Sequence, residues 1–144
     1  MANTKSIHDT GKDFVEKELE RRGFIVCTPI TKEKNFDFLV FNKETYKQYA
    51  VIVKTSINGK AWRLHSKHEK IDANNIIYIF VCLNNYSFPT YHIIKALEVS
   101  KTIKEYHKIY LNSPKKNGNP HKDTDIREFF DIEDIYKDNW NIIC

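Results

Sequence analysis

Asp37 sits inside an apolar run, Asn35-Phe36-Asp37-Phe38-Leu39-Val40, and Lys54 closes the next one, Ala50-Val51-Ile52-Val53-Lys54. A carboxylate is a poor strand former, so its place in such a run needs a reason beyond local structure. With residues 42–47 as a polar turn between two strands, hairpin pairing brings Asp37 near the end that carries Lys54. A carboxylate beside an ammonium at the lip of a sheet can hold a divalent metal and orient a water. The lysine can stabilise charge developing on a phosphorane or help position the nucleophile. The competing reading is a strand-end ion pair of little consequence.

A second signal lies just downstream. Between Lys54 and Lys70 the chain holds Lys54, Lys60, Arg63, Lys67 and Lys70 against Glu69 alone. Lys60, Arg63, Lys67 and Lys70 are the candidate nucleic-acid-binding residues, since clustered cations suit phosphate contacts. Trp62 either adds the aromatic that nucleic-acid surfaces mix with cations or fills the core. His65 and His68, at i,i+3 spacing, are either a base or metal ligand or ordinary surface side chains. For the whole stretch the alternative is a solvated face with ordinary charge clustering. Cations are concentrated in the first half: 14 Lys and Arg against 9 Asp and Glu in residues 1–70, then 9 against 10 in residues 71–144. The acids between Asp123 and Asp138 lack calcium-loop order and read as helix caps and solvated surface.

These side chains need elements to hold them. Residues 9–22 read as a helix capped by Asp9 or Thr10, with Phe14, Val15 and Leu19 as its apolar stripe and Gly23 as its stop. Strands are expected over 24–28, 36–41, 48–54, 76–83 and 91–94, with a further strand at 61–65 and a helical turn at 67–73. The run IIYIFVCL, residues 76–83, is the most hydrophobic and is placed centrally. A second helix is expected over 96–111, a loop over 113–124, and short pieces of weak periodicity over 126–143. The order α-β-β-β-(β)-β-β-α predicts an α/β sandwich of two or three layers around a mixed β-sheet. A single domain over 1–144 is expected, with its core in about 9–94 and a C-terminal helix and irregular tail in 95–144.

Composition narrows the function classes. The chain of 144 residues is 41% hydrophobic, 29% charged and 13% aromatic, a globular balance. No apolar run approaches the roughly 20 residues of a membrane span. The N-terminal residues lack an apolar signal core, so a cytoplasmic location is expected. Three widely spaced cysteines, Cys27, Cys82 and Cys144, point to reduced thiols and away from a zinc site. No phosphate-cradling glycine loop, dinucleotide fingerprint or serine-hydrolase elbow occurs.

The α-β-β-β order, with Asp on the second strand and Lys ending the third, resembles the PD-(D/E)XK superfamily of restriction endonuclease-like nucleases. TGKDFVEKELERRGFIV resembles the opening helix of its resolvase-like members, FDFLVF the metal-binding Asp strand, and YAVIVKTS the strand ending in the lysine. The segments WRLHSKHE, YIFVCL and NPHKDTDIREF resemble an uncharacterised bacterial protein family of similar length, which brings no activity with it. The superfamily resemblance implies a restriction endonuclease-like fold, DNA as partner, duplex or branched, and Mg²⁺-dependent phosphodiester hydrolysis. It further implies Asp37, Lys54 and Glu16 as catalytic residues, with Asp37 and Glu16 binding the metal. The chain departs from the pattern at Ile52, where the superfamily has an acid or Gln, and at Lys12 or Asp13, where resolvases have the helix acid. Catalysis is therefore expected to be compromised. The competing class is a non-catalytic protein-interaction module on the same scaffold. It would serve as a phage-defence, toxin or immunity component, docking a protein partner or a second copy of itself.

Overall fold

The computed structural model describes residues 5–31, 35–71 and 73–144. Along the chain come α1 (Ile7–Arg21), β1 (Ile25–Cys27), β2 (Phe38–Phe41), β3 (Gln48–Ser56), β4 (Ala61–His65), β5 (Ile76–Cys82), β6 (Thr90–Lys95), α2 (Ala96–Asn112) and β7 (Ile126–Phe130). Single 3-10 turns occupy Ser66–Lys70 and Trp140–Ile143. Five strands form one sheet in the order β1-β2-β3-β5-β6, and β4 and β7 form a separate pair. β3 and β5 run parallel; β1–β2, β2–β3, β5–β6 and β4–β7 are antiparallel. The expected α/β sandwich with a mixed sheet is the one found, and it has three layers.

Side-chain alternation along the central strands assigns the layers. Val51 and Val53 of β3, with Ile77, Ile79 and Val81 of β5, pack against Val15 and Leu19 of α1. Ile52, with Tyr78, Phe80 and Cys82, packs against Val99 and Ile103 of α2 and Trp62 and Phe129 of the β4–β7 pair. β5 is apolar on both faces because both are covered, which is why its sequence is a continuous run rather than an alternation. Burying each of its large side chains contributes about 1.5–3 kcal/mol.

The tail differs from expectation. β7 is a regular strand, and Phe129 belongs to one core while Trp140 and Ile143 belong to the other. The segment also flanks the outer edge of β6, where Ile93 N–H donates to Tyr136 O at 3.0 Å and Asp138 N–H to Tyr91 O at 2.9 Å. β7 alternates in burial, but one inward position is Arg127, so no apolar alternation is visible in the sequence. That guanidinium is held by Glu69 Oε1 at 2.5 Å and by the carbonyls of Thr124 and Ile126.

Candidate functional site

β2 and β3 form the expected hairpin, with Phe38 opposite Val51 and Phe41 opposite Gln48. Asp37 lies just before β2. Its N–H donates to Val51 O at 2.8 Å, and its Oδ2 accepts from Val53 N–H at 2.7 Å. The carboxylate thus occupies the place at Val53 that a further strand carbonyl would take. This accounts for an acid in an apolar run: it ends the ladder and is pinned at the lip of the sheet, leaving Oδ1 for other partners.

α1 supplies what stands beside Oδ1. The helix is capped by Ser6, whose Oγ accepts from Asp9 N–H at 3.1 Å, so it starts before the expected caps Asp9 and Thr10. The earlier start puts His8 and Lys12 four residues apart on one helical face. His8 Nε2 lies 3.3 Å and Lys12 Nζ 3.9 Å from Asp37 Oδ1. Gly11 lets the helix approach this closely: a Cβ there would stand 2.8 Å from Cβ and Cγ2 of Thr55 on β3, and closer still to its Oγ1. A glycine inside a helix costs about 1 kcal/mol relative to alanine, and here the close approach explains its presence.

Lys54 stands on the same face of β3 as Ile52. Burial lowers its ammonium pKa, Asp37 opposes that shift and Lys67 adds to it. Among the described residues no ion pair joins Lys54 to Asp37; the side chains beside that carboxylate's Oδ1 are the His8 ring and the Lys12 ammonium. His68 is buried, its Nδ1 paired with the Tyr78 hydroxyl. Burial, then Lys54, Lys67 and His65, push its pKa down to about 4, so it is neutral at physiological pH. Ser100 of α2 fixes the 3-10 turn carrying Lys67 and His68: its hydroxyl, with one proton to donate, lies between the carbonyls of His68 at 2.6 Å and Ile71 at 2.9 Å. His8, Asp37, Ile52, Lys54, Lys67 and His68 all line one cleft of about 230 Å³. A neighbouring depression holds Lys12 and shares Asp37 and Phe36 as its wall.

The other candidates fall elsewhere. Glu16 lines neither depression; burial and then Glu20 and Asp13 raise its pKa, and Lys12 opposes them. The structure thus shows Asp37, and not Glu16, among the lining residues of these two depressions. Lys60 is tied to Asp134 at 2.7 Å. Arg63 stands on the exposed face of β4 with Glu128 opposite. Lys70 lines a different depression beside Lys101 and Lys104. Of the four cations expected to form one patch, only Lys67 reaches the cleft. His8 is a site residue that the sequence reading misses, because its place depends on the Ser6 cap; the i,i+4 spacing of His8 and Lys12 is the signal that could have found it.

With the Lys12 ammonium beside Asp37, the described residues do not fit a divalent ion there. Mg²⁺ takes near-octahedral oxygen ligands, usually one or two carboxylates with water and phosphate. Among the described residues no group of three or more His, Cys, Asp and Glu side chains gathers. Ile52 offers no ligand where the second acid is expected. A dication held by Asp37 Oδ1 would be opposed by the Lys12 ammonium, which lies 3.9 Å from that oxygen.

No protein-family profile matches the sequence, and no curated protein matches it. Among solved structures the chain is similar to a bacterial homing endonuclease, I-Ssp6803I, with a TM-score of 0.57 and 12% identity over 99% of this chain and 92% of that one. The fold is nuclease-like. The nuclease-like scaffold places the lip of β2 and β3 under the start of α1, and no helix among the described residues is long and apolar enough to cross a membrane.

Proposed function

We propose that this chain binds DNA, duplex or branched, through the Asp37 cleft, with Mg²⁺-dependent hydrolysis crippled or lost. The observation that carries this reading is the charge of the cleft: among the described residues that line it, Lys54 and Lys67 flank one carboxylate, Asp37, whose Oδ2 is already committed to the backbone. Such a site attracts a phosphate more readily than a metal. Lys54, lowered by burial, presents a poorly hydrated ammonium at the lip, suited to a desolvated contact. A plasmid-binding and nicking panel tests this, using wild type, Lys54→Ala, Asp37→Asn and Ile52→Glu with Mg²⁺ or Mn²⁺. Expected are retention of plasmid by wild type, its weakening in Lys54→Ala, and no nicking by wild type. Robust wild-type nicking that vanishes in Asp37→Asn would overturn the crippled site, and absence of retention would overturn DNA binding.

One observation favours the second reading, a protein-interaction module. Tyr106, Ile109 and Tyr110 of α2 and Ile126 and Phe130 of β7 are all exposed large hydrophobics. Four of them line a cavity of about 360 Å³. An apolar face of this kind is a usual mark of a docking surface.

A further inference from the structure

Among the described residues that line the cleft, Asp37 is the one that should repel a phosphate. In a metal-dependent site the bound ion cancels that carboxylate. Here the cancelling charge is already built into the chain. Lys12 Nζ lies 3.9 Å from Asp37 Oδ1 and sits over the Phe38 ring, 5.5 Å from its centroid. It approaches from the depression on the far side of Asp37, not from the cleft lined by Lys54 and Lys67. The two sets of cations are thereby divided by the carboxylate between them. The Lys12 aliphatic stem and ammonium are supported by the aromatic face, an arrangement that favours a fixed position.

We propose that Lys12 does the neutralising work of a metal ion at Asp37, so that Lys54 and Lys67 grip a nucleic-acid phosphate directly and without a divalent cation. This rests on the DNA-binding reading and deepens it. His8, whose Nε2 lies 3.3 Å from the same Oδ1, lines the cleft on the helix side. Three of the groups come from separate elements: Lys12 from α1, Lys54 from β3, Lys67 from the 3-10 turn. The turn is held in place from behind by Ser100, so Lys67 is presented by a fixed backbone although its side chain is exposed. Ile52 fits this scheme. With no metal to ligate, its position is released to the apolar core, where it packs with Tyr78 and Phe80.

The scheme has a signature that a merely basic surface lacks. Removing Lys12 leaves Asp37 uncancelled, so binding should weaken and then become responsive to the very ion that wild type ignores. The test is fluorescence anisotropy of a labelled DNA duplex with the full chain, in EDTA and in Mg²⁺, at matched ionic strength. Wild type should bind with the same affinity in both. Lys12→Gln should bind about fivefold more weakly in EDTA, the size of a partly exposed charge interaction, and recover in Mg²⁺. Lys67→Gln should weaken binding by a similar factor in EDTA with no recovery in Mg²⁺. Far-ultraviolet circular dichroism of each variant establishes that it is folded, and Lys12→Met serves where Lys12→Gln is not. A wild type that binds about tenfold or more tightly in Mg²⁺ than in EDTA overturns the proposal, as a metal would then contribute about 1.4 kcal/mol. Lys12→Gln equal to wild type in EDTA also overturns it. Absence of wild-type binding in either buffer removes the DNA-binding reading itself, an outcome distinct from both.

Discussion

Gly11→Ala is the sharpest test of how the site is assembled. The added methyl would meet Thr55 Cβ and Cγ2 at 2.8 Å, with Oγ1 closer. Ordinary carbon–carbon separations are about 3.5–4.0 Å, so α1 must withdraw from β3 by roughly 1 Å or Thr55 must move. Thr55 cannot swing clear cheaply, because it is β-branched and these atoms adjoin its backbone. Overpacking of this kind costs about 1–3 kcal/mol, and a clash so near the backbone puts it at the upper end. Alanine returns about 1 kcal/mol of helix propensity. The net expectation is a destabilisation of about 2 kcal/mol, read in thermal unfolding as a fall in Tm of about 5 °C. The same withdrawal takes His8 and Lys12 off Asp37 Oδ1, so DNA affinity in EDTA should fall with stability. Thr55 Oγ1 has no hydrogen-bond partner among the described residues, so Thr55→Ala alone should be nearly neutral and should relieve part of the defect in Gly11→Ala. A Gly11→Ala protein as stable as wild type, or more stable, would show that propensity wins and that the helix does not lie this close.

Three further outcomes follow from the same structure. Asp37→Asn keeps an acceptor for Val53 N–H and removes the negative charge, so stability should hold while DNA binding in EDTA tightens; Asp37→Ala strands that N–H and should cost about 1–3 kcal/mol in urea unfolding. His68 has a folded pKa of about 4 against an ordinary value of 6.5, so the unfolded chain binds its proton first. The stability it confers is complete above pH 6.5 and drains as pH falls toward 4, on the order of 3 kcal/mol in all; His68→Gln should flatten that window in chemical unfolding. Asp131, buried, accepts from Ile135 and Tyr136 N–H and lies 2.6 Å from buried His92 Nδ1, so Asp131→Ala strands these buried groups and should cost at least about 1–3 kcal/mol and lower Tm accordingly.

What the sequence disclosed divides along physical lines. Strands whose faces are both covered, such as β5, advertise themselves as apolar runs, and the β2–β3 hairpin is marked by its polar turn. Asp37 and Lys54 were legible because charge in an apolar strand is conspicuous. β7 was not, since a buried, fully paired Arg127 holds an inward position. The partners of Asp37 were not, since they depend on which serine caps α1 and on a glycine that brings the helix close against β3. The cationic run from Lys60 to Lys70 looked continuous along the chain, yet β4 and the 3-10 turn send its members to different surroundings, and Lys60 is spent on Asp134. Spacing along a chain reports shared faces only within one regular element.

The measurement closest to the central claim is the salt dependence of duplex binding in EDTA for wild type and for the Lys54→Gln/Lys67→Gln double variant. Log affinity should fall linearly with log salt for both, with a slope shallower by about 2 in the double variant, about one unit for each phosphate that is no longer neutralised. Equal slopes and equal affinities would contradict the assignment of the Asp37 cleft as the place where this chain meets a nucleic-acid phosphate.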